Sequence, residues 1–353
     1  QSLFFVVAEL WAPLAIFMLF WGLCNQINMV TEAKRYYTLF VVSGDLATVF
    51  TGPLLIYCSK AFAGIDFAFT IKFLTICVII LCLIIGALHA WMARHVFPDK
   101  TLCQATGNST IKVKTKLSLL QGLKHISSSS YLRCIAIMVI SYGLAINIMD
   151  VSWKANVKMI YPNAADYQAF TAGVLSITGI IALLTAFLIS GNVIRSIGWH
   201  FSAQISPVVL GTTGIAFFCL LIANKLFSFS LFNIAPLTLI VFFGAFQNIL
   251  SKVVKYTFFD PTKEMAFIPL DNESKVKGKA AIDVVGSRLG KSGASWIQLA
   301  LMQLAGTSSV VDISSFLLPF LIAAVLYWSI SVQSLSKQFQ EKLHQVEEDP
   351  ETA

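Results

Sequence analysis

Residues 73–93 read FLTICVIILCLIIGALHAWMA, a stretch without a single Asp, Glu, Lys or Arg. A helix of that length rises about 30 Å, the thickness of a bilayer's hydrocarbon core. Lipid offers a backbone no hydrogen-bond partner, and a helix satisfies its own. Working outward, runs at 3–24, 37–58, 131–149, 169–190, 202–223, 227–250, 293–311 and 313–332 have the same character, which predicts nine spans. The run at 293–311 is the most diluted, by Gln298, Gln303 and Thr307-Ser308-Ser309. Pro13, Pro53, Pro207, Pro236 and Pro319 fall inside predicted spans, where neighbouring helices re-satisfy the freed carbonyls.

The whole composition agrees with that stretch. Of 353 residues, 57% are hydrophobic and 12% charged, with mean hydropathy +0.76. Globular domains carry about 25% charged residues. A soluble fold, a disordered chain and a nucleic-acid-binding domain are therefore excluded, despite a net charge of +7. The seven cysteines include no CxxC pair and mostly lie in or beside apolar runs, so they read as small buried hydrophobes.

The sidedness of the charge orients the chain. Segments 25–36, 94–130, 191–201, 251–292 and 333–353 hold 19 of the 25 basic residues, and the opposite loops hold four. The positive-inside rule places the first group in the cytoplasm and residue 1 outside. The start at Gln1, with no initiator Met and no basic leader, reads as an internal cut in a longer protein. Three helices lost upstream would give two six-helix halves, the layout of transporters that bind substrate between related bundles. The expected organisation is 1–93 as the last three helices of an N-terminal bundle and 94–130 as a cytoplasmic inter-bundle loop. Residues 131–335 form a six-helix C-terminal bundle, and 336–353 a disordered cytoplasmic tail.

Acids inside spans carry the chemistry, because a bare charge at mid-bilayer costs about 2.5–3.5 kcal/mol. Glu9 and Asp45 are of this kind, and Asp150 stands at the end of the fourth span. Each reads either as an acid paired with a helix-edge lysine for packing, or as a transport residue. After Asn25-Gln26, the pair Lys34-Arg35 lies at a cytoplasmic helix mouth, as a topology anchor or as a steering charge for a polyanion. The polar stretch 259–293 interleaves Lys263, Lys275, Lys277, Lys279, Arg288 and Lys291 with Gly278, Gly286, Gly290 and Gly293. That pattern suits either a phosphate-binding surface or an ordinary basic loop. Gly290-Lys291-Ser292 is not a P-loop, since Val285 stands where the first glycine is required. The five histidines are scattered, and no metal-ligand spacing occurs.

Ala8-Glu9-Leu10-Trp11, Phe20-Trp21-Gly22 with Asn25-Gln26, Glu32-Ala33-Lys34-Arg35, and Tyr142-Gly143 to Trp153-Lys154 form a recognisable set. The most specific parts are DPTKEMAFIPLD at 260–271, KGKAAIDVV at 277–285 and GKSG at 290–293. Over residues 3–340 the chain closely resembles the ATP/ADP translocases, the nucleotide transport proteins of chlamydiae, rickettsiae and plastids. The resemblance implies an all-α membrane protein with a major-facilitator-like bundle, of which nine of twelve transmembrane helices (helices 4–12) are present. It implies exchange of ATP for ADP plus phosphate by alternating access, with no cofactor, no enzymatic activity and no nucleic-acid partner. The membrane implied is a bacterial inner (cell) membrane or, alternatively, the plastid inner envelope. Proton-coupled import of other nucleoside triphosphates and a truncated, non-transporting relic remain the alternatives.

Glu9 and Asp150 would match the family's charged residues, with Asp150 one methylene shorter than the Glu of the family pattern; Lys279 and Lys291 would match its late lysine motif. The full set expected to bind or transport substrate is Glu9, Asn25, Lys34, Arg35, Asp45, Asp150, Lys154, Lys279, Asp283, Arg288 and Lys291.

Overall fold

The computed structural model describes Phe20 and residues 30–62, 67–95, 126–185, 191–226, 235–270 and 278–348. These residues form ten α-helical segments and two π-helical turns, with no strand among them. In chain order they are α1 (Val30–Ala61), α2 (Phe67–His95), α3 (Ser130–Ile160), α4 (Ala164–Thr185), α5 (Gly191–Leu226) and α6 (Pro236–Val254). A π turn (Lys255–Phe259) leads into α7 (Asp260–Ala266). After α8 (Lys279–Ala281) comes a second π turn (Ile282–Gly286), then α9 (Ser287–Ala305) and α10 (Ser314–Glu348).

Among the described residues, six helices are long and apolar enough to cross a bilayer: Ala68–His95, Ser130–Ile160, Ala164–Thr185, Ser196–Leu226, Pro236–Ala266 and Ser314–Lys342. The protein is an all-α, multi-pass integral membrane protein. Six of the nine sequence-predicted spans coincide with these helices. The run 3–24 lies outside the described residues. The run 37–58 lies within α1, whose apolar part is Leu46–Ala61.

Three expectations need correction. Segment 251–292 was expected as a loop, yet its described parts are largely helical: α6 continues through the first π turn to Ala266, and helix resumes at Lys279. Lys255, Lys263 and Lys279 there are paired with Asp260, Glu264 and Asp283, so these charges can stay in helices. The span expected at 293–311 is not among the six: the helix there, α9, begins at Ser287 and closes at Gly306 in the left-handed conformation (φ 64°). There the Thr307 amide caps the helix by donating to the Met302 carbonyl (3.0 Å). The tail expected to be disordered from residue 336 is helical as far as Glu348. Pro236 also begins its helix rather than interrupting it, at a position where no amide hydrogen is needed.

Contacts divide the chain into two units, Gln1–Ala47 with Ala61–Thr115, and Thr48–Lys60 with Lys116–Ala353. In the first, Phe62 packs on Phe69 and Phe73 (ring centroids 5.1 and 5.4 Å), and no residue in the most apolar window of α2 is buried.

The second unit is organised around α3. Ser129 caps it by accepting from the Leu132 amide (3.3 Å). Along its length α3 packs on α9 and α10 and, less extensively, on α6. Tyr142 stacks on Phe259 of the first π turn (4.6 Å), and Trp328 of α10 meets both rings edge-on (5.8 and 5.5 Å). Tyr131 donates to the Ala266 carbonyl (2.6 Å), and Trp199 donates to that of Thr262 (2.9 Å) while stacking on Phe339. Where α3 crosses α9 the backbones touch. A Cβ on Gly143 would lie 3.2 Å from the Gly290 Cα, and one on Gly290 would lie 3.0 Å from that of Gly143. Small residues that admit such approach are the membrane counterpart of a hydrophobic core.

Gly143→Ala or Gly290→Ala therefore forces backbone apart at that crossing and costs about 1–3 kcal/mol. Each should lower the melting temperature of the detergent-purified protein by several degrees. Gly86→Ala, whose Cβ would meet nothing within 4 Å, should leave it unchanged or raise it.

Candidate functional site

The described part of the chain contains two constellations of charge, both in the second unit. The first begins with Trp153, which is buried and donates its indole N–H to the Val241 carbonyl (3.0 Å), pinning α3 to α6. One turn apart on either side of it sit Asp150 and Lys154, in salt bridge at 2.7 Å. The other Asp150 oxygen accepts from the Asn248 side chain of α6 (2.9 Å). The preceding residue, Gln247, donates to Ser251 (2.7 Å) and contacts the Met149 sulfur (2.9 Å), so consecutive positions of α6 meet consecutive positions of α3.

These groups line a cavity of about 360 Å³, together with Lys252 of α6, Tyr167, Gln168 and Thr171 of α4, and Leu55 of α1. A larger cavity of about 680 Å³ lies between α4 and α6, lined by apolar side chains only, and offers no group for polar recognition. The smaller one carries the chemistry. Within it, the Gln168 Oε1 and Asn248 Oδ1 atoms are buried and accept no hydrogen bond among the described residues.

Magnitudes argue against a purely structural purpose for this charge. An i,i+4 ion pair on a helix gains about 0.3–0.5 kcal/mol, less than the cost of about 2.5–3.5 kcal/mol for each bare charge at mid-bilayer. Asp150 and Lys154 retain 28% and 48% side-chain exposure, so neither group is sealed off from the cavity it lines.

The second constellation is a chain of ion pairs joining α7 to α8 and the second π turn. Lys263, 14% exposed, lies 2.8 Å from Asp283 and 3.1 Å from Glu264. Glu264 also holds Lys279, and Lys255 holds Asp260 at 2.6 Å. Three lysines meet three acids, so the group is internally neutral. The two constellations share the α6–α7 path and are separated by on the order of 20 Å of helix rise between Asn248 and Lys263.

Of the residues singled out in the sequence, Asp150 and Lys154 come together at the cavity, and Lys279 and Asp283 come together through Glu264 and Lys263. Glu9 and Asn25 lie outside the described residues; Lys34, Arg35 and Asp45 lie on α1, and their side chains are outside the described set. Arg288 is half-buried near the start of α9, and Lys291 is exposed one turn further on. Neither belongs to a constellation described above.

The glycines interleaved with these lysines serve packing rather than phosphate approach. Gly278 faces Leu132, Gly286 faces Val139 and Ile140, and Gly290 faces Ile140 and Gly143; only Gly293 is open. Sequence reasoning missed Asn248, Lys252 and Gln168. The available signal was the spacing of Asn248 and Lys252, four residues apart on one helix face. No cluster of metal-binding residues occurs among the described residues.

A family profile described as TLC ATP/ADP transporter matches residues 1–339. The chain belongs to the TLC ATP/ADP transporter family. It is 40% identical over 345 residues to ADP,ATP carrier protein 1 of Chlamydia trachomatis, an alignment covering 96% of this chain and 65% of the relative. It is 39% identical over 345 residues to ADP,ATP carrier protein 2, chloroplastic, of Arabidopsis thaliana (96% of this chain, 54% of that one). It is 35% identical over 342 residues to ADP,ATP carrier protein 1 of Rickettsia typhi (96% and 68%). This family member thus spans just under two thirds of the chlamydial relative's length and about half of the plastid one's. No solved structure matches it.

Within this transporter-family chain, the Lys263 pairs should behave as a structural clasp. Lys263→Ala leaves Asp283 and Glu264 short of a partner and should destabilise by about 1–3 kcal/mol, below the 3–5 of a fully buried pair because both acids stay partly hydrated. The exchanged pair Lys263→Asp with Asp283→Lys should recover part of that loss in thermal melts; an additive double mutant would show the two groups to be uncoupled.

Proposed function

We propose that this chain exchanges ATP for ADP and phosphate across a membrane by alternating access, with the Asp150 cavity as part of the substrate pathway. One observation carries the reading. In a chain of the ATP/ADP transporter family, a carboxylate and an ammonium are held against each other in a cavity walled by four helices. Family membership supports the substrates, and the cavity supports a place for them.

The chemistry follows from charge balance. With no substrate present, Asp150 neutralises Lys154. An entering phosphate group competes for the ammonium, and Asp150 keeps its bond from Asn248. When the nucleotide leaves, Asp150 and Lys154 pair again. Exchange rather than leak requires in addition that the empty carrier does not reorient, because the cations of the pathway that lose the substrate's charge without gaining an acid are too costly to enclose.

In this reading residues 131–335 are the six-helix C-terminal bundle, and 1–93 and 94–130 are the end of the N-terminal bundle and the cytoplasmic linker. Glu9, Asn25, Lys34, Arg35 and Asp45 contribute from the first segment, and Arg288 and Lys291 supply further cationic contacts. The membrane is a bacterial cell membrane or, alternatively, a plastid inner envelope.

The test is counterflow in proteoliposomes containing the full-length protein. Labelled ATP loaded inside should leave only when ADP or ATP is supplied outside; equal efflux without external nucleotide overturns obligate exchange. A protonophore should leave the rate unchanged, whereas abolished uptake would point to proton coupling. Asp150→Asn should slow exchange at least tenfold, and Asp150→Glu should retain much of it, because the ion pair with Lys154 survives.

A further inference from the structure

Lys252 is the charge in the cavity that the exchange reading leaves without a task. It sits one turn along α6 from Asn248 and lines the same cavity as Asp150 and Lys154. It makes no ion pair or hydrogen bond among the described residues; it is attracted by Asp150 and repelled by Lys154 through space. Asp150 is already committed twice, to Lys154 at 2.7 Å and to Asn248 at 2.9 Å. The cavity therefore holds two ammonium groups and one carboxylate. An excess cation at membrane depth is expensive, and such a residue marks a place where an anion arrives.

The neutral groups narrow the ligand further. Asn248 is 1% exposed, and its Oδ1 accepts nothing; the Gln168 Oε1 on the opposite wall is likewise buried and unpartnered. A buried acceptor left without a donor is costly. Both residues line the cavity, and a turn of either amide that brings its oxygen to the cavity surface would meet a ligand that carries hydrogen-bond donors. Bare phosphate or pyrophosphate satisfies the lysines and leaves the amides unmet. A phosphorylated molecule with hydroxyl or amino groups satisfies both.

We infer that Lys252 is the phosphate contact of this cavity, and that Gln168 and Asn248 accept from hydroxyl or amino groups of the same organophosphate ligand. This rests on the reading of the cavity as the substrate site. Lys252 and Lys154 then flank the phosphate from α6 and α3, while Gln168 on α4 selects for the remainder of the molecule. Lysine serves here as a point charge that tolerates more than one phosphate geometry, as exchange between a diphosphate and a triphosphate requires.

The experiment is equilibrium binding of ADP and of inorganic pyrophosphate to the purified full-length protein, unaltered and substituted. Lys252→Ala should weaken both ligands at least tenfold, and Lys252→Arg should recover most of that loss. Gln168→Leu should weaken ADP severalfold and leave pyrophosphate within twofold. Melting temperatures close to that of the unaltered protein guard against misfolding, and the arginine variant decides the matter if the alanine variant is unstable. The inference is overturned if Lys252→Ala leaves both affinities within twofold, if only ADP is weakened, or if the unaltered protein binds no pyrophosphate. Counterflow separates this from the parent reading. Absent exchange with Lys252-dependent pyrophosphate binding sinks the exchange reading alone. Intact exchange with Lys252-independent binding sinks this inference alone.

Discussion

Two helices in the second unit approach until their backbones touch, and the rest of that unit is arranged around the contact. Gly143 of α3 and Gly290 of α9 leave no side chain between them. The approach brings the second π turn alongside α3, where Gly286 lies against Val139 and Ile140. It leaves the neighbouring position, Tyr142, to stack on Phe259 and meet Trp328. Hydrophobic association contributes little between helices in lipid, so close fit and internal polar contacts carry the stability. One methyl group at either glycine would loosen every contact that depends on this spacing.

The two charge constellations meet the same constraint in opposite ways. Around Lys263 the positive and negative groups balance, and each lysine has a carboxylate within ion-pair distance. Such a set is complete without a ligand, and it ties together segments far apart in sequence. Around Asp150 the account is open, with one carboxylate for two ammonium groups and two acceptors lacking donors. A closed set holds a fold together, whereas an open set has room for something else. The family's late lysine motif straddles this division, with Lys279 inside the closed set and Lys291 exposed on α9.

Much of the architecture was legible because membrane helices are written locally. A run such as 73–93 needs no knowledge of its neighbours to be identified. Asp150 and Lys154 were legible for a related reason, being one helical turn apart inside an otherwise apolar region. The region 251–292 was not legible in this way. Its density of charge looked like a solvated loop, and what keeps most of it helical is pairing such as that of Lys263 with Asp283, twenty positions away. Composition within a window cannot show such a partner. Lys252 was hidden by the same effect, since it was counted among the basic residues of a loop when it lies on a helix facing the cavity. Asn248 was hidden at the end of an apolar run, where a single amide carries no weight in a hydropathy average.

The two π turns give the ion-pair clasp a property of a different kind. A π turn holds one residue more than the α-helix would at that point, and every side chain beyond it is rotated by about 100° from the face it would otherwise occupy. Asp260, Lys263 and Glu264 lie beyond the first such turn, and Asp283 lies inside the second. The meeting of Lys263 with Asp283 is thus a matter of counting as well as of charge. Length variation at residues 307–309, between α9 and α10, disturbs the cap and turn there but leaves the helix faces as they are. Adding or removing one residue in either wide turn re-keys the helix, carrying a lysine away from its carboxylate while leaving every residue type in place.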